Sequence, residues 1–375
     1  MTARANLSPP PLSFILITHE RYRLFWQAFD SVIKAKANYP GEIEIIVVNS
    51  SRKPLFNKTN NVEGITELFV PAEPTAPGKR NIGWHAAKNE WVVFMDDDCR
   101  LHAQALQYIS QSVSTADQQT AAYFGVTEFQ GPQKYWFSIL EGTDFLEDYS
   151  WARDNEELIW APTALGVFSK TAMAQVNGFD SGLIAGGEDV AICLELRQKG
   201  KKIRAIPKTL VYHDISTWNS LPLNLRRFFY YGVGEFYLQL KFPGHTHLDL
   251  QSPVFLLIPW FFMLFFAIIA GGLLIRVMIT TVVYLLSILA ANVICELLDT
   301  KRGVYRTLGI VLYRFAYRTG SIWSAIKQRC WRNLVSYWNF INDSQLTKYP
   351  KVGRNFYIKW SAVLTAVILA VSIMG

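Results

Sequence analysis

Apolar positions in the first 250 residues form short continuous runs that alternate with segments of helical spacing. Runs rich in β-branched residues predict strands at 12–18, 42–49, 67–72 and 90–96. Apolar residues recur every three or four positions at 23–37, which predicts a helix there. Residues 80–89 are predicted as a second helix between the strands. Strands that alternate with helices indicate crossover units and a parallel sheet covered on both faces. In such a sheet, ligands bind at the carboxyl ends of the strands.

After residue 250 the apolar runs become long enough to cross a bilayer. Residues 253–275 include 23 positions without a charge, and about 20 helical residues span a hydrocarbon core. Residues 277–298 are nearly as apolar, so we expect a transmembrane helical hairpin at 253–298. A third candidate span is 356–375, where Lys359 can snorkel near the start. Buried helices of a soluble core are the alternative, and it is stronger for the last segment.

The segment 304–334 is amphipathic rather than uniformly apolar. Its arginines fall within one broad arc of a helical wheel, with Trp and Tyr interleaved: Arg306, Arg314, Arg318 and Arg329. This pattern predicts a helix that lies in the membrane interface. A fourth span is the alternative, although it would place Arg314 and Arg318 near the middle of the membrane at a high cost. Residues 221–250 are predicted to form an interfacial helix and linker.

Charge and composition place the chain at a membrane. Half of its 375 residues are hydrophobic and its net charge is +7. The basic residues flank the apolar segments, so anionic headgroups explain them better than nucleic acid, and we expect no nucleic-acid partner. Only Arg276 lies in the hairpin loop, so the positive-inside rule puts the N-terminal part in the cytoplasm. The apolar run "LSFILI" is too short for a signal-peptide core, and an integral protein of a bacterial-type inner membrane is expected.

An acidic triplet, Asp96–Asp98, follows the fourth predicted strand directly. Residues i and i+2 of an extended chain point the same way, so we expect Asp96 and Asp98 to share one side and Asp97 to face away. Two carboxylates on one side suit a hard divalent cation, which also relieves their mutual repulsion. A solvated turn is the alternative. Thr18–Arg21 and Asn49–Arg52 follow two other strands and are expected at the same rim.

A second group of ionisable residues lies downstream. Glu188 and Asp189 open an amphipathic helix predicted at 190–199, where the helix dipole alone would also favour acids. The stretches "KIRAIP" and "TLVYHD" predict two strands after this helix. His213 lies at the end of the second strand, a position where a histidine is usually structural. An imidazole there can instead complete a metal site, more naturally with Mn²⁺ than with Mg²⁺.

These residues, in this order, resemble the family 2 glycosyltransferases over roughly residues 10–240. The resemblance rests on six stretches: "LSFILITHER", "EIEIIVVNSS", "PGKRNIGWHAAKNEWVVFMDDDC", "GVFSKTAMAQVNGFD", "GGEDVAICLELRQKGKKIRAIP" and "VYHD". It implies an α/β fold, with a GT-A nucleotide-sugar-binding domain at 1–220. The sheet of that domain would be Rossmann-like, mixed and mostly parallel, and C-terminal transmembrane helices would follow it.

The resemblance also implies a role for each matching residue. Asp189 would be the general base, with Glu188 beside it, and Mn²⁺ or Mg²⁺ would be held by Asp98 and His213, with Asp96 as a further ligand. The donor-binding residues would be Thr18, Glu20, Arg21, Asn49, Arg80, Asn81, Asp96 and Asp97. The implied reaction is a single in-line displacement that inverts the anomeric carbon while the base deprotonates the acceptor hydroxyl.

Two departures from the family pattern bear on the substrate. Asn49 and Ser50 stand where the family usually has aspartates that contact the base, so uridine, guanosine and thymidine diphosphate sugars all stay open. The Gln-x-x-Arg-Trp motif of the processive synthases is not present, which argues for transfer of one sugar per binding event. Arg226 and Arg227 occupy that region and can serve the diphosphate, an acceptor phosphate or lipid headgroups.

The sequence therefore predicts a membrane-bound, metal-dependent, inverting glycosyltransferase. It would move one sugar from a nucleotide-sugar donor to a lipid or lipid-linked glycan acceptor at the cytoplasmic face. The aromatic segment 135–164 is expected to contribute to the acceptor pocket, although a packed core would explain it equally well. The alternatives are a nucleotide-sugar-binding subunit of a polysaccharide assembly, a polyprenyl-phosphate sugar transferase, and a metal-dependent phosphodiesterase or nucleotidyltransferase.

Overall fold

The computed structural model describes residues 9–56, 64–141, 143–250, 252–269, 274–300, 303–338 and 354–374. The chain divides into two compact units. The first comprises Met1–Phe137 with Glu141–Asn219, and the second comprises Ser138–Leu140 with Ser220–Gly375.

The first unit is an α/β domain built on one large sheet. Its strands are β1 (Leu12–Thr18), β2 (Ile43–Asn49), β3 (Ile65–Phe69), β4 (Trp91–Asp96), β5 (Cys99–Leu101), β6 (Thr120–Gln130), β7 (Glu157–Leu158), β8 (Leu165–Ser169) and β9 (Lys202–Asp214). The helices in this part of the chain are α1 (Tyr22–Ala37), α2 (Ala76–Ala86), α3 (Ala105–Ser114), α4 (Tyr135–Ser138), α5 (Lys170–Ala174) and α6 (Glu188–Gln198).

The sheet is mixed, with a parallel half at one side. Its strand order is β3-β2-β1-β4-β8-β6-β9-β5, and β7 pairs with β9. Strands β1 to β4 pair in parallel, as the sequence predicts, whereas β8 runs antiparallel between β4 and β6. In this register Thr18 pairs with Asn49, and Ile17 pairs with Asp96. The carboxyl ends of β1, β2 and β4 therefore meet at one edge.

The parallel half forms because apolar strands are covered on both faces. All seven residues of β1 are buried, and α1 buries Phe25, Phe29 and Val32 at helical spacing on one side of the sheet. Helix α2 comes close to β1 at Gly83, where an added Cβ would lie 2.6 Å from Cγ2 of Ile15. A glycine at this position lets α2 approach the strands whose ends carry the polar residues.

Strand β9 differs from its prediction. The stretches "KIRAIP" and "TLVYHD" were expected as two strands, but they form one strand of 13 residues. Its pairing with β6 is irregular where Gly125 faces Ile206 and Val126 faces Thr209, which leaves Pro207 outside the ladder. Proline lacks the N–H that a ladder needs, and a β-bulge accommodates it without ending the strand.

The second unit is mainly helical. It contains α7 (Leu221–Lys241), α8 (Pro253–Ile269), α9 (Leu274–Thr300), α10 (Val304–Lys327) and α11 (Arg354–Met374), with an antiparallel pair of β10 (Thr246–Leu248) and β11 (Ser336–Trp338). Helices α7 and α10 cross at glycines. A Cβ on Gly232 would lie 1.8 Å from the carbonyl oxygen of Tyr317, and one on Gly320 would lie 1.9 Å from that of Phe229.

The segment predicted as an amphipathic helix at 304–334 is helical only as far as Lys327. Two of its arginines are engaged within the unit: Arg314 forms an ion pair with Glu296, and Arg318 forms one with Asp249. Carboxylates from the same unit therefore hold these two cations. The position of α10 in a membrane interface stays a prediction.

The three predicted membrane spans are helical wherever the structure describes them; residues 270–273 and 375 lie outside the described part of the chain. Among the described residues, one helix is long and apolar enough to cross a bilayer, Val277–Asp299. The apolar stretches of the other two helices are shorter, at Val254–Phe265 and Asn355–Leu369. Only 17% of the most apolar part of Val277–Asp299 is buried, unlike the central helix of a soluble core. Spanning by the other two helices stays a prediction.

Candidate active site

Three loops meet at the carboxyl edge of the parallel strands, as the sequence predicts. The Thr18 hydroxyl donates to Oδ2 of Asp97 over 2.7 Å, which joins the ends of β1 and β4. The backbone N–H of Ser50, just after β2, donates to the carbonyl oxygen of Thr18. The ammonium group of Lys79, from α2, donates to the same carbonyl oxygen. Polar groups from the loops after β1, β2 and β4 and from α2 therefore line this edge of the sheet.

Asp97 and Asp98 lie in a turn rather than in an extended chain. Nη1 of Arg21 contacts both carboxylates, at 3.1 Å from Asp97 and 2.7 Å from Asp98. The expectation that Asp97 faces away from its neighbour is therefore wrong. It assumed an alternation that holds only within a strand, and β4 ends at Asp96.

Burial of these acids makes their ionisation costly. Burial raises the pKa of Asp97 to about 6, and the charge of Asp98 adds to this effect while Arg21 opposes it. Burial also raises the pKa of Asp96, against the favourable charge of Arg80. A bound cation would therefore stabilise the ionised cluster.

Asp98 and His213 lie together although they are far apart in sequence. The imidazole Nε2 of His213 is 3.6 Å from Oδ1 of Asp98. The antiparallel pairing of β5 with β9 produces this contact, because Cys99 pairs with His213 and the N–H of Asp214 donates to the carbonyl oxygen of Asp98. The ring of Phe129 lies 5.3 Å from the imidazole. The imidazole Nδ1 lies 3.2 Å from the carbonyl oxygen of Asp214, which leaves Nε2 to face the carboxylate.

The donor atoms of Asp98, Cys99 and His213 all lie within 4.8 Å of one another. Burial, together with the negative charge of Asp98, raises the pKa of the Cys99 thiol well above its usual value. Because only a thiolate is a strong metal ligand, the useful donors are the carboxylate and the imidazole. This donor set fits Mn²⁺ or Mg²⁺. Asp96, the third predicted ligand, pairs with Arg80 through Oδ1, and its role as a metal ligand stays a prediction.

Arg80 links the two acidic groups of the site. Its Nη2 is 2.8 Å from Oδ1 of Asp96, and its Nη1 is 2.7 Å from Oε1 of Glu188. The residue is 2% exposed, and its guanidinium lies over the ring of Phe179. A buried cation held by two carboxylates fixes the distance between the acidic turn after β4 and the start of α6.

Asp189 lies at the start of α6, where the chain makes a sharp turn. Gly186 and Gly187 have φ values of +117° and +90°, which residues with side chains rarely adopt. Burial, and then the charge of Glu188, raise the pKa of Asp189 to about 7, while Arg80 opposes the shift. A carboxyl with a pKa near neutrality is well suited to act as a general base.

Two predicted donor-binding residues have structural partners instead. Asn49 is fully buried, and its amide donates to the Lys53 carbonyl and to Glu67 while it accepts from the Ser51 N–H. This geometry argues against a contact between Asn49 and a base. Asn81 binds both the N–H and the carbonyl of Phe179, so it positions the loop that precedes α6. A nucleotide contact for Asn81 stays a prediction.

Of the remaining predicted residues, Glu20 lies on the rim and Arg226 and Arg227 lie in the second unit. Oε1 of Glu20 accepts from the N–H of Arg52, so it joins the loops after β1 and β2. Arg226 lies over the ring of Tyr230, and Arg227 approaches Asn224, all within α7. Binding of a diphosphate by these two arginines stays a prediction.

Two further charged residues, Lys79 and Asp148, were not predicted from the sequence. Lys79 is 5% exposed, and burial lowers its pKa to about 8 although Asp97 and Asp96 oppose the shift. Its place directly before Arg80 on α2 was the available signal. Asp148 lies in the aromatic segment 135–164, and the negative charge of Asp189 reaches it. No local pattern marks Asp148, because its neighbour is 41 positions away in the chain, on α6.

A known protein family matches the chain from the start of β4 to near the end of α9. The family described as Glycosyl transferase family group 2 matches residues 91–298, more than half of the chain. This chain belongs to glycosyl transferase family group 2. Its enzyme class is therefore that of the glycosyltransferases, in agreement with the resemblance seen in the sequence. The match includes Asp96–Asp98, Glu188, Asp189 and His213.

The curated relatives of this family 2 chain are more distant. It is 24% identical over 212 residues to the pre-mycofactocin glycosyltransferases of two Mycobacterium tuberculosis strains. The match covers 54% of this chain and 44% of each relative, so the chain spans less than half the length of the curated relatives it matches.

A solved structure shares the fold over most of the chain. The mannosyltransferase PcManGT from Pyrobaculum calidifontis, in complex with GDP-Man and Mn²⁺, superposes with a TM-score of 0.51 at 16% identity. The similarity covers 84% of this chain and 87% of that one. The mixed, mostly parallel sheet predicted for this family 2 member is thus of the GT-A type.

Proposed function

We propose that this chain is a membrane-attached, metal-dependent, inverting glycosyltransferase that moves one sugar from a nucleotide-sugar to a lipid or lipid-linked glycan. The proposal depends on one observation. Asp98 and His213, the two candidate metal ligands, lie 3.6 Å apart, and Arg80 connects this part of the site to the candidate base, Asp189. Arg80 contacts Asp96 beside the pair and Glu188 beside Asp189. Arg80 therefore holds the residues proposed to bind the donor at a fixed distance from the residue proposed to deprotonate the acceptor.

In this mechanism each side chain has a separate role. Asp98 and His213 would hold the cation, which would supply positive charge that stabilises the departing nucleoside diphosphate. Asp189 accepts the proton of the acceptor hydroxyl as that hydroxyl attacks the anomeric carbon, whose bond to the nucleoside diphosphate breaks in the same step. Arg80 holds Asp96 and Glu188 in place, so that the donor and the base keep their distance. A single displacement inverts the anomeric configuration.

Several nucleoside diphosphate sugars are candidate donors. The mannosyltransferase that shares the fold was solved with GDP-Man and Mn²⁺, and GDP-sugars therefore belong in the test. Asn49 is buried and already hydrogen-bonded, so it offers no uridine contact that would favour UDP-sugars. We keep UDP-, GDP- and dTDP-sugars as candidates.

Membrane attachment is proposed from the exposure of the apolar helices. Helix α9 carries large apolar side chains that protein does not cover, including Leu285, Leu286 and Leu289, at 47–58% exposure. An exposed apolar helix of this length is unfavourable in water and stable in a bilayer. A catalytic unit followed by such helices would work on acceptors carried at the headgroup level.

The proposal is tested by donor turnover with the purified, detergent-solubilised chain. UDP-, GDP- and dTDP-sugars are supplied with Mn²⁺, with Mg²⁺ or with a chelator, and released nucleoside diphosphate is measured. We expect turnover with one nucleotide class and loss of turnover with the chelator. His213→Ala should raise the metal concentration needed for half-maximal turnover by about tenfold or more, because it removes one ligand.

The matched control is His85→Ala, since His85 is exposed on α2 and makes no contact with the acidic groups in the described part of the chain. It should leave the metal requirement unchanged. Full turnover in the chelator, or equal metal requirements for His213→Ala and the wild type, would contradict metal dependence. Binding of a donor without any turnover would favour a nucleotide-sugar-binding subunit instead.

A further inference from the structure

The imidazole of His213, one of the two candidate metal ligands, lies among three aromatic rings. Its centroid is 5.3 Å from that of Phe129, 6.0 Å from that of Trp218 and 6.2 Å from that of Tyr149. The ring of Phe129 is tilted by 31° against the imidazole, whereas the rings of Trp218 and Tyr149 meet it at 68° and 90°. Phe129, Tyr149 and Trp218 thus form an aromatic box around the imidazole.

Each ring of the aromatic box comes from a different element of the first unit. Phe129 lies in β6 and pairs directly with His213 in the parallel register of β6 and β9, so the two side chains share one face of the sheet. Trp218 ends the short 3-10 helix that follows β9. Tyr149 lies in another 3-10 helix, between β6 and β7. The tertiary fold therefore assembles the box from parts that are distant in the chain.

The rings of the aromatic box also support one another. The ring of Phe129 meets that of Tyr149 edge-on at 5.0 Å and that of Trp218 edge-on at 6.1 Å. A further ring, that of Phe137, lies 5.5 Å from Phe129. Edge-on pairs at these distances attract each other beyond the effect of burial alone. Phe129 is therefore the central member of the box, since it contacts both other rings and the imidazole.

Hydrogen bonding determines which nitrogen of the imidazole faces the candidate metal site. Nδ1 lies 3.2 Å from the carbonyl oxygen of Asp214, and Nε2 lies 3.6 Å from Oδ1 of Asp98. A hydrogen bond from one ring nitrogen to a backbone carbonyl orients the other nitrogen towards a metal. One such bond does not stop the ring from tilting. The rings of the aromatic box limit this motion, because they lie against the imidazole from three elements.

We propose that the aromatic box positions the imidazole of His213 for metal binding and thereby makes the site prefer Mn²⁺ to Mg²⁺. The inference rests on the metal dependence in the proposed function, and it adds the preference and the residues that set it. Mg²⁺ keeps several waters and binds through carboxylates and phosphates, whereas Mn²⁺ accepts an imidazole more readily. A well-oriented imidazole therefore adds more to the affinity for Mn²⁺ than to that for Mg²⁺. Phe129 is a positioning residue, since it acts through His213.

The test measures binding of Mn²⁺ and Mg²⁺ alone to the full, detergent-solubilised chain, without donor or acceptor. Free Mn²⁺ is followed by its electron paramagnetic resonance signal, and Mg²⁺ by its competition with Mn²⁺. Phe129→Leu keeps an apolar side chain and removes the ring. It should raise the Kd for Mn²⁺ by about tenfold, because the shell around a metal ligand affects affinity by roughly 10–100-fold. The Kd for Mg²⁺ should stay within about twofold, since Mg²⁺ depends little on the imidazole.

A double-mutant cycle with His213→Ala separates positioning from a general structural role. If Phe129 acts through the imidazole, Phe129→Leu should change the Kd for Mn²⁺ little once the imidazole is removed, so the two changes are far from additive. Phe56→Leu is the matched control, because Phe56 is also half-buried and packs in a different aromatic cluster, against Phe29 of α1 at 5.4 Å. It should leave both Kd values unchanged.

Tyr149→Leu provides a second test outside the sheet. Tyr149 is half-buried in its short helix, so loss of its ring disturbs the core less than loss of a strand residue. The Kd for Mn²⁺ should rise in the same direction by a smaller factor, and this variant decides the question if Phe129→Leu does not fold. The Tm of each variant shows that the folded chain is being compared.

The outcomes are distinct. Wild-type Kd values for Mn²⁺ in the folded box variants, or equal losses for Mn²⁺ and Mg²⁺, would overturn the inference. So would an effect of Phe129→Leu that is equally large without the imidazole, or a wild type that binds Mg²⁺ as tightly as Mn²⁺. A wild type that binds neither cation would contradict metal dependence and the inference together. The expected shifts in a chain that turns over no donor would support the inference and contradict the proposed function.

Discussion

At the scale of single residues, ion pairs between arginines and buried carboxylates determine the arrangement of the site. Arg80 is buried and lies between Asp96 and Glu188, two carboxylates that are 92 positions apart in the chain. Arg21 likewise lies between Asp97 and Asp98. Buried charges are tolerated only when paired, so these two arginines permit an unusual density of acids around one site.

The residue-level prediction concerns the pH dependence of transfer. Asp189 must be ionised to accept a proton, and burial together with Glu188 raises its pKa to about 7. The rate should therefore be lost as the pH falls through about 7 and should reach a plateau above it. Glu188→Gln should move this limb to lower pH, because the removed negative charge disfavoured ionisation of Asp189. The measurement is kcat/KM from pH 5 to 9.

Asp189→Asn provides the control for that profile. It removes the base, so the rate should fall by about 10²–10⁴-fold and the limb should disappear. An acidic limb that persists in Asp189→Asn, or that moves to higher pH in Glu188→Gln, would show that another group controls the rate.

Much of the residue-level picture could be predicted, and the exceptions have clear causes. Asp98, His213, Glu188 and Asp189 were all picked out because acids and an imidazole at strand and helix ends are chemically conspicuous. The predicted orientation of Asp97 was wrong because the alternation was extended to Asp98, whereas the strand ends two residues earlier, at Asp96. Asn49 was assigned to the donor from its position, although its amide satisfies Lys53 and Glu67.

At the scale of elements, close contacts between helices depend on glycine. Helices α7 and α10 meet at Gly232 and Gly320, where each glycine faces a carbonyl oxygen of the other helix. Backbone atoms cannot move aside as a flexible side chain can. Ser321 belongs to the same contact, because a Cβ on Gly232 would lie 2.9 Å from its backbone nitrogen.

We expect Gly232→Ala to destabilise the second unit. The added Cβ would lie 1.8 Å from the carbonyl oxygen of Tyr317, so the helices must separate. Overpacking of this kind costs about 1–3 kcal/mol or more. The measurement is the Tm of the detergent-solubilised chain, which should fall by several degrees. Gly244→Ala is the control, because nothing lies within 4 Å of its added Cβ. Equal Tm values for the two variants would contradict the close crossing.

Helices and strands were predicted accurately where the pattern of hydrophobic residues was continuous. Strand β1 has the predicted bounds, and β2, β4 and α1 differ from theirs by one residue at the start. Strand β9 was divided into two because Pro207 was taken as an end, whereas a bulge against β6 carries the strand past it. A bulge depends on the partner strand, so it leaves no mark in the local sequence.

At the scale of the whole molecule, an α/β unit precedes helices that expose apolar side chains. Helix α9 is the clearest example, since most of its apolar part is not covered by protein. The basic residues that flank the apolar segments are consistent with a cytoplasmic catalytic unit, which stays a prediction.

Membrane insertion of α9 is tested by placing a charge in its middle. Leu286 is 58% exposed and lies near the centre of Val277–Asp299. Leu286→Arg should lower the fraction of protein that stays in membranes after an alkaline wash, since a central arginine costs about 2.5–3.5 kcal/mol on insertion. The control is Leu248→Arg, at a position of similar exposure in β10. Equal membrane fractions for both variants and the wild type would argue against a spanning α9.

The sequence by itself determined the strands of the parallel half, the apolar helices and most of the ionisable residues that the candidate site contains. Each of these depends on neighbours within one turn or one strand, so a local pattern is enough to reveal it. Only the tertiary structure decided that Arg80 joins Asp96 to Glu188 and that His213 faces Asp98. Sheet register and turns bring these residues together across more than forty positions of chain, and no local pattern records that distance.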